Sequence, residues 1–261
     1  MSRSSSNRWL AVAALVPALL AVGFDATILN LALPELAGGL HASSLQLQWF
    51  IASYTLVFAA AMIPGGMMGD RYGRKKLLLI ALTVFGLGSL ACAFAGSSGV
   101  FIAERALMGA GAAVVLPMVL GVIPALFNES ERPKAVAVVM TATMLGFPIG
   151  PILGGWLLTH FWWGSVFLIN IPVVAIALIG VFALLPETRS SRAPRLDPVG
   201  IAGSSIGLAA LVYGVIEAGE YGWSDALALG PVLGGLLVLV AFVFWERRVP
   251  EPLVEIGRAH V

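Results

Sequence analysis

The chain has 261 residues, 59% of them hydrophobic and only 11% charged, with a mean hydropathy of +0.95. Soluble domains carry roughly 25% charged residues, so a water-covered surface is excluded and a lipid-facing one is expected. A net charge of +1 gives no reason to expect nucleic acid, and the single cysteine, Cys92, excludes a disulfide within the chain.

A helix of about 20 apolar residues crosses ~30 Å of hydrocarbon. Eight runs qualify, at about 9–32, 46–68, 77–95, 100–121, 134–158, 165–185, 198–217 and 226–245. In lipid the backbone must satisfy itself, so each run is expected to be helical and the fold all-α and polytopic. The first run is too long for a cleavable signal, and a second follows it closely.

The first run contains a carboxylate, Asp25, in "GFDATILNLALP". An intramembrane charge is expensive and marks a functional site by default. Between runs two and three lies "GGMMGDRYGRKKL", residues 65–77. Its glycines allow a tight turn and close helix approach. Asp70 and Arg74 are four apart, so on a helix running through this corner they share a face. Run four contains "ERALMGAGAA", 104–113, with a second intramembrane charge, Arg105, and two glycines, Gly109 and Gly111, that make room for a neighbour. Run five contains "GFPIGPILGG", 146–155. Its prolines and glycines would ruin a soluble helix, but in a bundle they give a kinked, smooth face on which another helix can slide.

After run six comes a polar linker, "PETRSSRAPRLDP". Runs seven and eight lack dense polar motifs, and their connecting "EAGEYGWSDA" suits an outer interface. The ending "EIGRAHV", 255–261, reads like translated sequence of a common DNA sequencing adapter, which would mean a reading frame cut short.

Lysine and arginine orient the spans. One set of alternate loops holds Arg3, Arg8, Arg71, Arg74, Lys75, Lys76, Arg132, Lys134, Arg189, Arg192, Arg195, Arg247 and Arg248. The other set, near 33–45, 96–99, 159–164 and 218–225, holds none. Both termini are therefore expected in the cytoplasm of a multi-pass cell (inner) membrane protein. His41 and His160 fall in outer loops, no paired His/Cys spacing suggests a metal, and no phosphate loop suggests ATP. No cofactor and no enzymatic nucleophile–base pair are expected.

The corner resembles the major facilitator superfamily signature G-x-L-A-D-R-x-G-R-[RK], with Gly66, Asp70, Arg71, Gly73, Arg74 and Lys75 matching and Met68 and Gly69 in place of Leu and Ala. Run four is similar to that superfamily's R-x-x-Q-G-x-G-A, with Met108 where Gln is usual. Run five resembles its antiporter signature G-x-x-x-G-P-x-x-G-G through Gly146, Gly150, Pro151, Gly154 and Gly155. "FDATILNLALP" resembles the helix-1 pattern of the fourteen-helix drug/proton antiporters of the EmrB/QacA type, through Asp25, Thr27, Asn30, Ala32, Leu33 and Pro34. "FLINIP", 167–172, resembles that family's sixth helix, although its usual W-R-W-x-F is replaced by Trp163 to Phe167.

The resemblance implies an N-terminal six-helix half (1–185), a cytoplasmic linker (186–197), two inserted helices (198–245) and a cytoplasmic tail (246–261). A second, C-terminal six-helix half is the missing partner. It further implies proton-coupled export of small amphipathic or cationic drugs by alternating access. Asp25 would carry the proton and Arg105 tune it, both facing one cavity and paired directly or through water, within a water-bridged distance. Gly66, Asp70, Arg71, Gly73 and Arg74 would form a cytoplasmic gate. Asn30, Tyr54 and Met108 are cavity candidates, and Glu104 is either structural or cavity-lining. The alternatives are a same-fold exporter of an endogenous metabolite, lipid or antibiotic, and a non-transporting membrane sensor or scaffold.

Overall fold

The computed structural model describes residues 5–190 and 197–248, and within them every apolar run is helical. The helices are α1 (Ser5–Gly39), α2 (Ser44–Tyr72), α3 (Arg74–Ala93), α4 (Ser98–Leu126), α5 (Arg132–His160), α6 (Ser165–Leu168), α7 (Asn170–Leu184), α8 (Pro198–Tyr221) and α9 (Ala226–Glu246). With α6 and α7 taken as one span, eight helices are long and apolar enough to cross a membrane. Arg3, Arg192, Arg195 and the 255–261 ending lie outside the described residues.

Polar loop residues set where several helices begin. Ser43 starts α2 with a capping box: its side chain accepts from the Gln46 N–H, and the Gln46 side chain accepts from the Ser43 N–H. Ser97, Asp197 and Asp225 cap α4, α8 and α9 through the first of these bonds alone, their side chains accepting from the N–H groups of Val100, Val199 and Leu227. Such a cap is worth about 1 kcal/mol and satisfies amides that no helical carbonyl reaches.

The helices run further than hydropathy alone outlines. α1 has 35 residues, hence ~52 Å of helix, and it overshoots ~30 Å of hydrocarbon. The sixth span is broken at Ile169. Pro172 has no N–H to give the Leu168 carbonyl. Buried side chains brace the break: Asn170 Nδ2 donates to Ser89 Oγ at 2.8 Å, and Ser89 Oγ donates to the Phe167 carbonyl at 2.9 Å.

In the bundle of the first six spans, α4 packs between α2 and α3, and α1 packs between α5 and α7. Glycines permit these approaches. A Cβ on Gly111 would sit 2.7 Å from the Ala81 carbonyl and the Phe85 nitrogen, so α4 and α3 meet backbone to backbone. α8 and α9 pair with each other through Gly207, Gly214 and Gly235, the small-residue packing expected in lipid. α8 rests on α2, where the Trp49 and Tyr213 rings lie 5.8 Å apart. Large apolar side chains such as Ile152, Phe182 and Leu237 point outward and are about 70% exposed, as a lipid-facing surface requires.

Candidate functional site: a sealed ion pair beside an apolar pocket

The two intramembrane charges meet. Arg105 Nη1 on α4 lies 3.0 Å from Asp25 Oδ2 and 3.2 Å from Oδ1 on α1. Arg105 Nε donates to the Phe50 carbonyl of α2 at 3.3 Å, and the guanidinium carbon sits 4.3 Å from the Tyr54 ring centroid. Asp25 is 0% exposed and Arg105 2%, so the pair is closed to both water and lipid. α4 reaches α2 here because Gly109 lies directly on the Tyr54 backbone, where no Cβ would fit.

Beside the pair lies a pocket of about 340 Å³, walled by α1, α2, α4 and α5. Leu19, Val22, Phe58, Val115, Leu116 and Phe147 supply most of its aliphatic and aromatic surface. The hydroxyls of Thr55 and Thr143, also in the wall, are spent on the carbonyls of Ile51 and Val139 in their own helices. The pocket therefore offers apolar contact and little directional hydrogen bonding, which suits amphipathic guests of varied shape. Tyr54 both lines the pocket and covers Arg105.

Along α5 the motif glycines face α1. A Cβ on Gly146 would lie 2.8 Å from Gly23 Cα, one on Gly150 would collide with the Thr27 hydroxyl, and one on Gly154 would lie 2.7 Å from the Ile28 side chain. At the basic end of the bundle the α2–α3 corner turns at Gly73, with φ +115°. Arg74 Nε donates to Asp70 Oδ1 at 2.9 Å across this corner.

The sequence pattern of the Major Facilitator Superfamily matches residues 15–250. The chain belongs to the major facilitator superfamily. It is 38% identical over 252 residues to the puromycin resistance protein pur8 of Streptomyces alboniger, covering 96% of this chain and 50% of that protein. It is 35% identical over 261 residues to the multidrug efflux pump LfrA of Mycolicibacterium smegmatis, covering 98% and 51%. The chain thus spans about half the length of the curated relatives it matches. In fold it is similar to the proton:xylose symporter XylE, with a TM-score of 0.65 at 15% identity, covering 94% of this chain and 55% of that one.

Several residues lie elsewhere than their types and spacing lead one to expect. Asp25 and Arg105 pair directly, one of the two expected ways, but they are sealed in the core and not open to a cavity, because Phe50 and Tyr54 complete the guanidinium's shell. Of the cavity candidates only Tyr54 lines the pocket. Asn30 is exposed on α1, between the buried Leu29 and Ala32. Met108 is fully buried, with its sulfur 3.7 Å from Arg105 Nη1 and 3.6 Å from Cys92 Sγ. Glu104, one residue before the paired arginine, is half-buried and outside that pocket's wall. Of the run-five motif, Gly146, Gly150 and Gly154 form the face on which another helix, α1, is packed, whereas Pro151 is exposed and Gly155 meets only Leu31. The helix does not run through the gate corner, so Asp70 and Arg74 pair across a turn and not along one helix face. Gly66 packs loosely on Pro117, and Arg71 is exposed with its guanidinium 5.8 Å from the Tyr72 ring.

One residue escaped sequence reasoning. Glu187, just beyond α7, accepts from the backbone N–H of Lys75 and of Lys76, each at 3.1 Å. Gly73 has no side chain with which to cap α3, so a carboxylate from 112 residues away does so, where the helix dipole favours negative charge. In return Lys75 Nζ donates to the Phe182 carbonyl in the last turn of α7 at 2.6 Å. Backbone bonds from Arg74 N to Thr188 O and from Ser190 N to Asp70 O complete the clasp. An uncapped helix start facing a "PET" segment was the available signal. Glu187→Ala is expected to speed amide hydrogen exchange at Lys75 and Lys76 roughly fivefold, the share that a cap near 1 kcal/mol commands. Exchange measured by mass spectrometry checks this; unaltered protection would remove Glu187 from the clasp.

Proposed function

We propose that the complete reading frame carrying this chain exports toxic amphipathic or cationic compounds in exchange for protons. The observation that carries this reading is the sealed Asp25–Arg105 pair, whose guanidinium is covered by Tyr54, a residue that also lines an apolar pocket. A carboxylate that is paired in one conformation and exposed in another binds a proton differently in the two, which is the requirement for coupling. Alternating access supplies the two conformations, and moving one charge through the membrane field is worth roughly 2.3 kcal/mol per 100 mV. The efflux and resistance names of the relatives support the cargo class. The protein is thus read as a carrier and not a catalyst.

On the same reading residues 1–185 are the N-terminal transporter half, 186–197 a cytoplasmic linker and 198–245 an inserted helix pair. A second six-helix half closes the far wall of the pocket. The basic ends of the helices face the cytoplasm of the inner membrane, and both termini are assigned to that side, following the positive-inside rule. The Asp70–Arg74 pair and the Glu187 clasp serve as a cytoplasmic latch.

The test is proton release from proteoliposomes on addition of ethidium. Asp25→Asn is expected to abolish ethidium-driven proton release while the purified variant still binds ethidium, which also reports on folding. Proton release at the parent rate would reject Asp25 as the carrier. Parent protein that moves a metabolite but no dye would reassign the cargo.

A further inference from the structure

The Asp25–Arg105 pair can respond to the bundle only through the backbone that holds it, and one contact on α1 stands out. Pro151 has no N–H, so the Phe147 carbonyl, four residues earlier in α5, loses its helical donor. The Thr27 hydroxyl of α1 donates to that carbonyl at 3.1 Å. The hydroxyl also lies 3.1 Å from the Phe24 carbonyl of its own helix. It has one proton for two acceptors, one on each helix. Gly150 admits the hydroxyl into the seam, because a Cβ there would occupy its place. Thr27 stands two residues after Asp25 on the same continuous helix.

We propose that Thr27 is a positioning residue that ties Asp25 to α5 at the carbonyl Pro151 leaves without a donor. In the observed arrangement the hydroxyl bridges the helices and α1 holds Asp25 against Arg105. When α5 changes its bend, the hydroxyl turns back to Phe24, the bridge opens and α1 is free to carry Asp25 away from Arg105. A freed carbonyl would otherwise stand without its donor in a low-dielectric setting, so the two acceptors make the contact two-state. This deepens the export reading by naming how the moving helix reaches the proton site, and it rests on that reading.

The test is a double-mutant cycle in the complete reading frame. Thr27→Val removes the donor while keeping the shape. Pro151→Ala restores a backbone N–H to the Phe147 carbonyl and so removes the acceptor from Thr27's reach. Each single variant is expected to slow ethidium/proton exchange about fivefold, or ~1 kcal/mol at 1.4 kcal/mol per decade. The double variant should be no slower than the worse single, and Thr27→Ser should restore the parent rate. Two readouts do not depend on transport: the same non-additivity in thermal unfolding in detergent, and a shift in the infrared carboxyl band assigned to Asp25 by its loss in Asp25→Asn. Additive effects, or an Asp25 band unmoved by Thr27→Val, would overturn the proposal. Parent vesicles that exchange no protons for ethidium would reject the export reading, leaving the unfolding and infrared arms to decide Thr27.

Discussion

Arg105→Met is expected to unfold at a markedly lower temperature in mild detergent than the parent chain, and a second substitution, Asp25→Asn, is expected to restore most of the loss. Asp25 is fully buried, and Arg105 is the cation in contact with it among the described residues. Removing one partner of a buried pair strands the other and costs about 3–5 kcal/mol, whereas removing both charges together is often neutral. Arg105→Lys should not rescue. The guanidinium addresses Asp25, the Phe50 carbonyl and the Tyr54 ring at once, and an ammonium cannot reproduce that planar fork. The decisive comparison is the single against the double variant. If the double is no more stable than Arg105→Met, the loss comes from packing around the methylene chain and not from a stranded charge.

That the two charges would meet was legible because neither is tolerable alone in a membrane bundle. The manner of the meeting was not. Phe50 contributes only a carbonyl and Tyr54 only a ring, and neither signals itself among apolar residues. The length of the first helix was also only partly legible. Hydropathy ends the first span near residue 32, but α1 continues to Gly39, because a helix packed on its neighbours does not stop where the lipid does.

Glycine rows carry a similar ambiguity. The run-five motif announces a close helix contact but not with which helix. The partner proves to be α1, whose own Gly23 mirrors Gly146 across the seam. Gly23 stands in plain view in the sequence, two residues before Asp25, but a lone glycine beside a charged residue has no periodicity to recognise. The α3 cap was hidden for another reason: Glu187 and Lys75 are 112 residues apart, and only the tertiary fold brings the end of the sixth span to the start of the third.

The second large effect is expected at that seam. Gly146→Val should leave α5 unable to dock on α1, lowering stability by ~3 kcal/mol or more. Even a single added carbon would meet Gly23 Cα at 2.8 Å, the Gly23 carbonyl carbon at 3.1 Å and the Leu20 carbonyl oxygen at 3.1 Å. All three are backbone atoms of α1, which cannot rotate aside as a side chain would. Separating the helices also pulls Thr27 away from the Phe147 carbonyl. Gly155, nine residues further along the same motif, gives the contrast. A Cβ there would touch only the end of Leu31, at 4.0 Å. Gly155→Ala should therefore be neutral or slightly stabilising, since alanine favours a helix over glycine by up to about 1 kcal/mol. Thermal unfolding of the two variants beside the parent separates a packing role from a motif role. A uniform loss at both positions would mean that the motif acts as a whole and that the backbone contact at Gly23 is not what Gly146 is there to permit.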